Sequence, residues 1–516
     1  MGVPDGDYRR KIKTAAQLAA LVGERPRQRT VVMCHGTFDL VHPGHVLHLI
    51  YAKSKGAVLV ASLTADEHIL KADHRPYIPQ DLRAMNLAAL EVVDYVVVDG
   101  RPTPVENIEI IQPDIFVKGY EYVGGLHPET AREQHAVEAY GGEMIFTPGD
   151  TVYSSSAIIE TAPPELAIEK LVMLLAAEGL GFDDLRRTLE SLRGTAVHVV
   201  GDTIVDTLTE TSLIGAAGKT PTFSVRFEGR HDFVGGAGVV ARHLAAAGAR
   251  ATLSTVLGDD ALKDFVADEL TAAGVELNAL VDPTRPTPNK NAFVANGYRL
   301  LKVDTLDNRS LSDERVAQLQ ELIGTTPAEA VVFSDFRHGI FNRSTITRLI
   351  AAIPEGAFRA ADSQVASRWG NILDFQNFDL ITPNEQEARF ALGDQDTTIR
   401  PLGSELYEQA KCRTLMLTTG SRGLMCFRRP MSGQDHRTFF SLDSFASRVI
   451  DPVGAGDALL AYSSLALRAS GNPVIASVLG GFAAAVECEH DGNVPVTLDA
   501  VGDKLDSAGR RADFGP

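Results

Sequence analysis

His35-Gly36-Thr37-Phe38-Asp39-Leu40-Val41-His42-Pro43-Gly44-His45 decides the fold of the N-terminal part of this chain. An apolar run, Thr30 to Cys34, precedes it, and Val46 to Gly56 follows with helical character and a terminating glycine. The pattern predicts a strand, a tight glycine turn and a helix, and Ala57–Ala61 predicts a second strand. The unit is βαβ, with His42 and His45 where the helix begins. A helix start offers unpaired N–H groups and a partial positive charge, which suits phosphate. Two imidazoles added there can donate hydrogen bonds as charge builds on phosphate oxygens. Gly36 lets a triphosphate approach the backbone, with Thr37 and Phe38 completing the turn.

The chain has 516 residues, enough for two or three domains. A formal net charge of −18 argues against nucleic acid or an anionic membrane as the main partner, but leaves room for small anions at a local positive site. The four cysteines are scattered without metal-ligand spacing, as in a reduced, cytoplasmic protein. Met1–Arg10 is polar, and no apolar run reaches the roughly 20 residues needed to span a bilayer.

Further along, Lys11–Val22 predicts a short helix, and Val92–Val98, Asp114–Val117 and Glu143–Thr147 predict strands. Lys118 follows the second of these, at a strand end where α/β sheets bind ligands. Ser154, Ser155 and Ser156 open a helical stretch and can cap it or hold phosphate. Thr161-Ala162-Pro163-Pro164 marks a boundary, and Glu165–Leu180 and Phe182–Leu192 read as helices of a docked connector. A second α/β pattern begins at Thr195. Ala196–Val200, Ala330–Asp335, Phe358–Asp362, Leu380–Thr382 and Thr414–Thr418 read as its strands. Thr222–Phe227 and Asn291–Val303 alternate as strands of a lid. Asp451-Pro452-Val453-Gly454-Ala455-Gly456-Asp457 then opens a helix. Gly454, Ala455 and Gly456 can wrap N–H groups around a phosphoryl group. Asp457 beside them can accept the proton of an attacking hydroxyl.

The string from His35 to His45 resembles the signature of the cytidylyltransferase-like nucleotidyltransferases. Residues 11 to 160, with Lys71 to Pro76 and Val117-Lys118-Gly119, resemble the adenylyltransferase half of bifunctional heptose-phosphate kinase/heptose-1-phosphate adenylyltransferases. That resemblance implies a phosphate-contacting Lys71, ahead of Arg75-Pro76 and a helix carrying Arg83, and a nucleotide site closed by the Ser154–Ser156 cluster. Thr147-Pro148-Gly149-Asp150, lacking an arginine, tilts the base from cytosine toward adenine. From Thr195 to Thr497 the chain resembles the ribokinase-like sugar kinases. There Gly235-Gly236 matches the first signature, and Asp202 and Asp206 match acids that bind sugar hydroxyls. Asn384 and Glu387 match the element that organises magnesium and phosphates, so that Glu387 acts on Mg²⁺ indirectly. Thr418, Gly420 and Gly423 match a nucleotide-contacting turn, and Asp457 matches the catalytic base.

The resemblances imply a Rossmann-like nucleotidyltransferase domain at 1–160, a helical connector at 161–193 and a ribokinase-like α/β kinase with a small β-lid at 194–516, in reversed order relative to those bifunctional enzymes. They imply ATP and Mg²⁺, with heptose 7-phosphate phosphorylated at its anomeric hydroxyl and an ADP-heptose-like NDP-sugar released with pyrophosphate. A homodimer built through the lid is also implied. Three positions depart from the heptose-kinase pattern: Val239 for an Asn, His338 for a Lys, and Asp362-Ser363-Gln364 for Asp-Pro-Lys. All lie where the sugar or its distal phosphate is expected. The rival readings are a CTP-using alditol- or sugar-phosphate cytidylyltransferase fused to a kinase of other purpose, and a silent half kept for binding or dimerisation.

Overall fold

The computed structural model describes residues 7–69, 76–119, 128–147, 167–216, 223–364, 371–429 and 438–513. The chain divides into two compact units, one built from residues up to Leu174 and the other from Leu175–Asp513. Lys71 and Ser154–Ser156 lie outside the described residues.

The first unit is a five-stranded parallel sheet. Its strands are β1 (Val31–Gly36), β2 (Val58–Thr64), β3 (Tyr95–Asp99), β4 (Ile115–Lys118) and β5 (Glu143–Phe146). Their order is β3-β2-β1-β4-β5, so the chain reverses direction across the sheet between β1 and β4. Such switch points are where open α/β sheets bind ligands, beyond the carboxyl ends of the strands. The histidine-rich string leaves β1 at that place. Parallel strands covered on both faces need continuous apolar sequence. Val31, Val32, Met33 and Cys34 are accordingly all fully buried.

The second unit has a nine-stranded sheet. In chain order its strands are β6 (Ala196–Gly201), β9 (Arg250–Leu257), β10 (Glu276–Val281), β13 (Ala330–Asp335), β14 (Phe358–Ser363), β15 (Leu380–Ile381), β16 (Thr414–Thr418), β17 (Leu424–Arg428) and β18 (Phe439–Leu442). The order is β10-β9-β6-β13-β14-β15-β16-β17-β18, parallel through β16 and antiparallel at the last two strands. The switch point here falls between β6 and β13. One face is filled by Phe333, Phe341, Phe375 and Phe378, whose ring centroids lie 5.2–6.2 Å apart in tilted and edge-on pairs.

A separate four-stranded sheet, β12-β11-β7-β8, corresponds to the expected lid. It is larger than its sequence reading. β7 (Thr203–Ala216) and β8 (Phe223–Gly236) each run 14 residues. Asn291–Val303 resolves into a hairpin, β11 (Asn289–Ala295) and β12 (Tyr298–Thr305), turned by Asn296 and Gly297 at positive φ. β7 escaped notice because Thr and Glu alternate on a two-sided, half-exposed strand, leaving no apolar stripe. The connector's second helix, Phe182–Ser191, belongs to this unit: it packs on the C-terminal helix Leu498–Asp513, and Arg186 bonds Asp506 at 2.9 Å.

Gly201 closes β6 where β13 comes nearest, and a Cβ there would overlap the Ser334 carbonyl. Gly201→Ala should destabilise the second unit by about 1–3 kcal/mol, in the range of other overpacked cores. Denaturant titration followed separately for each unit checks this. An unchanged second-unit midpoint would contradict it.

Candidate active sites

In the first unit the helix Pro43–Lys53 starts at His42, which serves as its cap. His42 Nδ1 accepts a hydrogen bond from the Gly44 amide at 3.1 Å, which puts the neutral ring's proton on Nε2. His45 has the opposite tautomer. Its Nδ1 lies 3.1 Å from the Leu40 carbonyl, which can only accept, so Nδ1 carries the proton and Nε2 a lone pair. The two rings stack with centroids 3.9 Å apart, and Phe38 tilts against His45 at 5.2 Å. Burial, then the neighbouring His42, holds His45 down to about 4. His42 can therefore donate while neutral, whereas His45 donates from Nε2 only once an anion has drawn a proton onto it.

Other residues hold this loop in shape. Phe38 sits at φ 49°, a left-handed conformation that needs outside support in a bulky residue. Its ring lies against Gly36, where an added Cβ would come within 3.3 Å. Asp39, which the sequence reading left without a role, accepts the amides of Tyr77 at 3.0 Å and Ile78 at 2.7 Å. Fully buried Arg83 reaches the carbonyls of Thr37 at 2.5 Å and Ile78 at 2.9 Å, and Asp66 at 2.6 Å. These two side chains tie the signature loop to the segment on which the Lys71 loop ends. His35 bridges Ser62 at 2.9 Å and Thr64 at 3.1 Å, kept neutral by burial. Lys118 stands at the end of β4, as expected, but its ammonium is buried and paired with Glu133, with Thr130 at 3.2 Å. A nucleotide contact from Lys118 would have to compete with that pair.

In the second unit the helix Ala455–Ser470 is entered through Gly454 at φ 87°. A Cβ on Gly454 would press on Asn493 at 2.7 Å and Glu487 at 2.8 Å, so glycine is required there. A Cβ on Gly456 would meet nothing within 4 Å, so the helix start is open at that point. Asp457 lies in the first turn. Burial raises its carboxyl well above the usual range, reinforced by Asp362, Glu487 and Asp206. Asp362 is pushed up to about 7 by burial, and Glu387 to about 9 by burial and by Asp362. Asn384 and Glu387 form a reciprocal cap on the helix Glu385–Leu392: the Asn384 side chain accepts the Glu387 amide at 2.9 Å, and Glu387 accepts the Asn384 amide at 2.8 Å. Thr418 ends β16, pairing with Asn384. The turn beyond has Gly420 at φ 64° and Gly423 at φ 90°, the latter packed on the backbone of Leu442–Ser444.

The sugar-side residues divide. The Asp206 carboxylate lies directly over Gly235, where any side chain would collide. Gly236, at φ 61°, packs on the Asp202 backbone and starts the next helix. Asp202 has a structural task as well as the sugar contact expected of it. It is buried, and its carboxylate accepts the amides of Phe336 and His338 at 3.1 Å and Ile340 at 3.4 Å, so it shapes the loop after β13. The motif resemblance could not show this, because the partners are backbone amides over 130 residues away in sequence.

No three carboxylate, imidazole or thiol side chains among the described residues stand close enough to cage a metal ion. The crowded hard oxygens of Asp362, Glu387 and Asp457 nevertheless suit Mg²⁺ held mainly by triphosphate oxygens and water. Both sites thus have the make-up of enzymes that move phosphorus groups. Residues 195–493, more than half of the chain, match the family model described as pfkB family carbohydrate kinase, and the protein belongs to that family. Residues 33–161 match Cytidylyltransferase-like, so the transferase part precedes the kinase part, the order read from sequence. Over that N-terminal region the chain is 41% identical to "Bifunctional protein HldE" of Geobacter metallireducens across 147 residues, 28% of this chain and 29% of that protein. It is 41% identical to "Bifunctional protein HldE" of Helicobacter pylori J99 across 137 residues, 26% of this chain and 27% of that protein. The matched stretch spans less than a third of those relatives' length. Phosphofructokinase-2 from Escherichia coli, in complex with substrates and products, aligns with a TM-score of 0.51 at 19% identity over 61% of this chain and all of that one. Its tetrameric inhibited form gives 0.50 at 17% with the same coverage. These likenesses concern the fold.

The raised carboxyls have a consequence for stability. A group whose folded pKa lies above its unfolded value stabilises the fold below the unfolded pKa and loses that contribution as pH rises through the folded one. With Asp362 near 7 and Glu387 near 9, the second unit without ligand should lose stability progressively from about pH 4, where the unfolded carboxyls ionise, to about pH 9. Thermal unfolding at those pH values, with and without MgATP, checks this. The expected result is a lower midpoint at pH 9 that MgATP restores; a midpoint rising with pH would contradict it.

Proposed function

We propose that the protein activates a sugar in two steps. The kinase half transfers the γ-phosphoryl of ATP, with Mg²⁺, to a hydroxyl of a sugar or sugar phosphate of the heptose class, at the anomeric position. The transferase half joins the resulting sugar 1-phosphate to a nucleoside monophosphate, with adenosine favoured over cytidine, giving an NDP-sugar and pyrophosphate. The supporting observation is that each unit ends its switch-point chemistry at a glycine-entered or imidazole-capped helix start, with its reactive side chains within the first turn.

In the kinase half, the Gly454, Ala455 and Gly456 backbone takes up charge on the transferring phosphoryl. Asp457 accepts the proton of the attacking hydroxyl. Asn384 and Glu387 order the magnesium-bound phosphates, and the Thr418–Gly423 turn contacts the nucleotide. Mg²⁺ supplies charge neutralisation on the triphosphate. In the transferase half, His42 and His45, with Lys71, stabilise charge on the α-phosphate and leaving pyrophosphate. The substrate phosphate is itself the nucleophile, so no covalent enzyme intermediate is required. The lid supports a homodimer, since Leu213, Ile214, Phe223, Phe227, Tyr298 and Leu301 leave apolar surface exposed on it. Among the described residues no helix is long and apolar enough to cross a membrane, consistent with a cytoplasmic site of action.

The test is a crossed pair of variants. Asp457→Asn should lower sugar-dependent ATP consumption about 10²–10⁴-fold and leave nucleotidyl transfer to a supplied sugar 1-phosphate intact. His45→Ala should lower nucleotidyl transfer about 10²–10³-fold and spare phosphorylation. Product masses from each half-reaction read this out. Either variant impairing the other half-reaction, or failing to impair its own, would contradict the assignment.

A further inference from the structure

The loop that Asp202 holds carries His338, one of the positions that departs from the heptose-kinase pattern. His338 is 5% exposed. Its Nδ1 lies 2.8 Å from Asn308 Oδ1, which can only accept, so Nδ1 bears the proton. Its Nε2 is buried, with no hydrogen-bond partner among the described residues. A bare imidazole lone pair at that depth is costly unless a donor meets it. Burial also disfavours the charged ring.

The surroundings identify the donor. Lys290 faces Asp206 in register between β11 and β7, and Asp304 faces Lys290 from β12. The Lys290 ammonium lies 5.9 Å from the ring of Phe336 in the same loop as His338. The charged neighbours of His338 are Asp202, Lys290 and Asp304. Asp206 in turn acts on Asp457, which places this group beside the phosphoryl-transfer site. The nearby arginines are committed elsewhere: Arg285 to Asp282 and to carbonyl oxygens, Arg337 to Asp335 and Asp374. Asp206 and Asp304 balance the two lysines Lys290 and Lys302 in charge, and His338 Nε2 is a buried acceptor that no donor among the described residues meets. A phosphate dianion, itself only an acceptor, would face a lone pair and carboxylates. A hydroxyl would satisfy His338 Nε2 and Asp206 together.

We infer that His338 reads a hydroxyl of the acceptor, and that the kinase half takes an unphosphorylated sugar and not a sugar phosphate. The inference rests on the kinase reading above and narrows its substrate. It also simplifies the sequence of reactions. The sugar hydroxyl oxygen bonds to the γ-phosphorus, the bond from that phosphorus to the β–γ bridging oxygen breaks, ADP leaves, and the proton passes to Asp457. The product carries a single phosphate. An oxygen of that phosphate bonds to the α-phosphorus of the second nucleoside triphosphate, and pyrophosphate leaves. No phosphatase step is needed between the halves.

The full chain, incubated with MgATP and a panel of free hexoses and heptoses beside their terminal monophosphates, tests this. The expected result is that the best acceptor is a free sugar, with kcat/KM at least about tenfold above its terminal phosphate, and that it proceeds to NDP-sugar with no phosphatase present. His338→Leu should raise KM for that sugar about tenfold, the worth of one hydrogen bond. His338→Gln, whose amide oxygen also accepts, should recover most of the loss. Preference for a terminal phosphate would overturn the inference and leave the kinase reading standing. A His338→Leu KM equal to wild type would overturn the role of His338. Phosphorylation of no panel member would overturn both readings.

Discussion

Crowding of carboxylates drawn out of water governs the larger unit. Asp206, Asp362, Glu387, Asp457 and Glu487 gather around one helix start; loss of water pushes each toward its protonated form, and neighbouring acids of the group add to this at Glu387 and Asp457. A folded chain keeps such a cluster only if something outweighs the cost in the working state. In the proposed kinase reaction magnesium-bound phosphate would do so, with Asp457 ionised for use as the base. The glycine at 454, the reciprocal cap at Asn384 and Glu387, and the amide-bound Asp202 place these acids without neutralising them all. The site is thus destabilised when empty, as expected where function and stability compete.

The smaller unit solves a related problem with imidazoles. Two rings of opposite tautomer, stacked at a helix start, give one donor that is always ready and one that appears only when phosphate draws a proton. The flanking contacts come from other side chains. Asp39 takes the amides of Tyr77 and Ile78, and Arg83 takes the carbonyls of Thr37 and Ile78 and the carboxylate of Asp66, so a strained Phe38 can hold its place. Positioning and chemistry are carried by different residues within one short string.

Much of this was legible in sequence where local pattern and chemistry coincide. Apolar runs ending in glycine or an acid located β1, β6 and β13 because parallel strands buried on both faces read as continuous hydrophobic stretches, and the Gly454-Ala455-Gly456 string located the helix at 455. Glycines at 235, 236, 423 and 454 marked positions where backbone or carboxylate comes too close for any Cβ. Roles set by distant partners were not legible. The amides from Phe336 to Ile340 that Asp202 accepts, and the Glu133 that pairs with Lys118, left no local mark in the sequence. Asp39 gave no sign of its duty, since that depends on contacts made across the fold, and His338 was marked only as a departure near the expected sugar. β7 hid because its Thr-rich alternation matches neither a buried strand nor an amphipathic helix.

The most direct test of the account is the proton balance of nucleotide binding to the kinase site. Calorimetric titration of the full chain with Mg²⁺ and a non-hydrolysable ATP analogue, at pH 7 in buffers of differing ionisation enthalpy, measures it. The account predicts net release of about one proton per kinase site as the carboxylates ionise, and a smaller release in Asp457→Asn. Binding heats independent of buffer, or net proton uptake, would show that the acids are already ionised in the empty site and would contradict it.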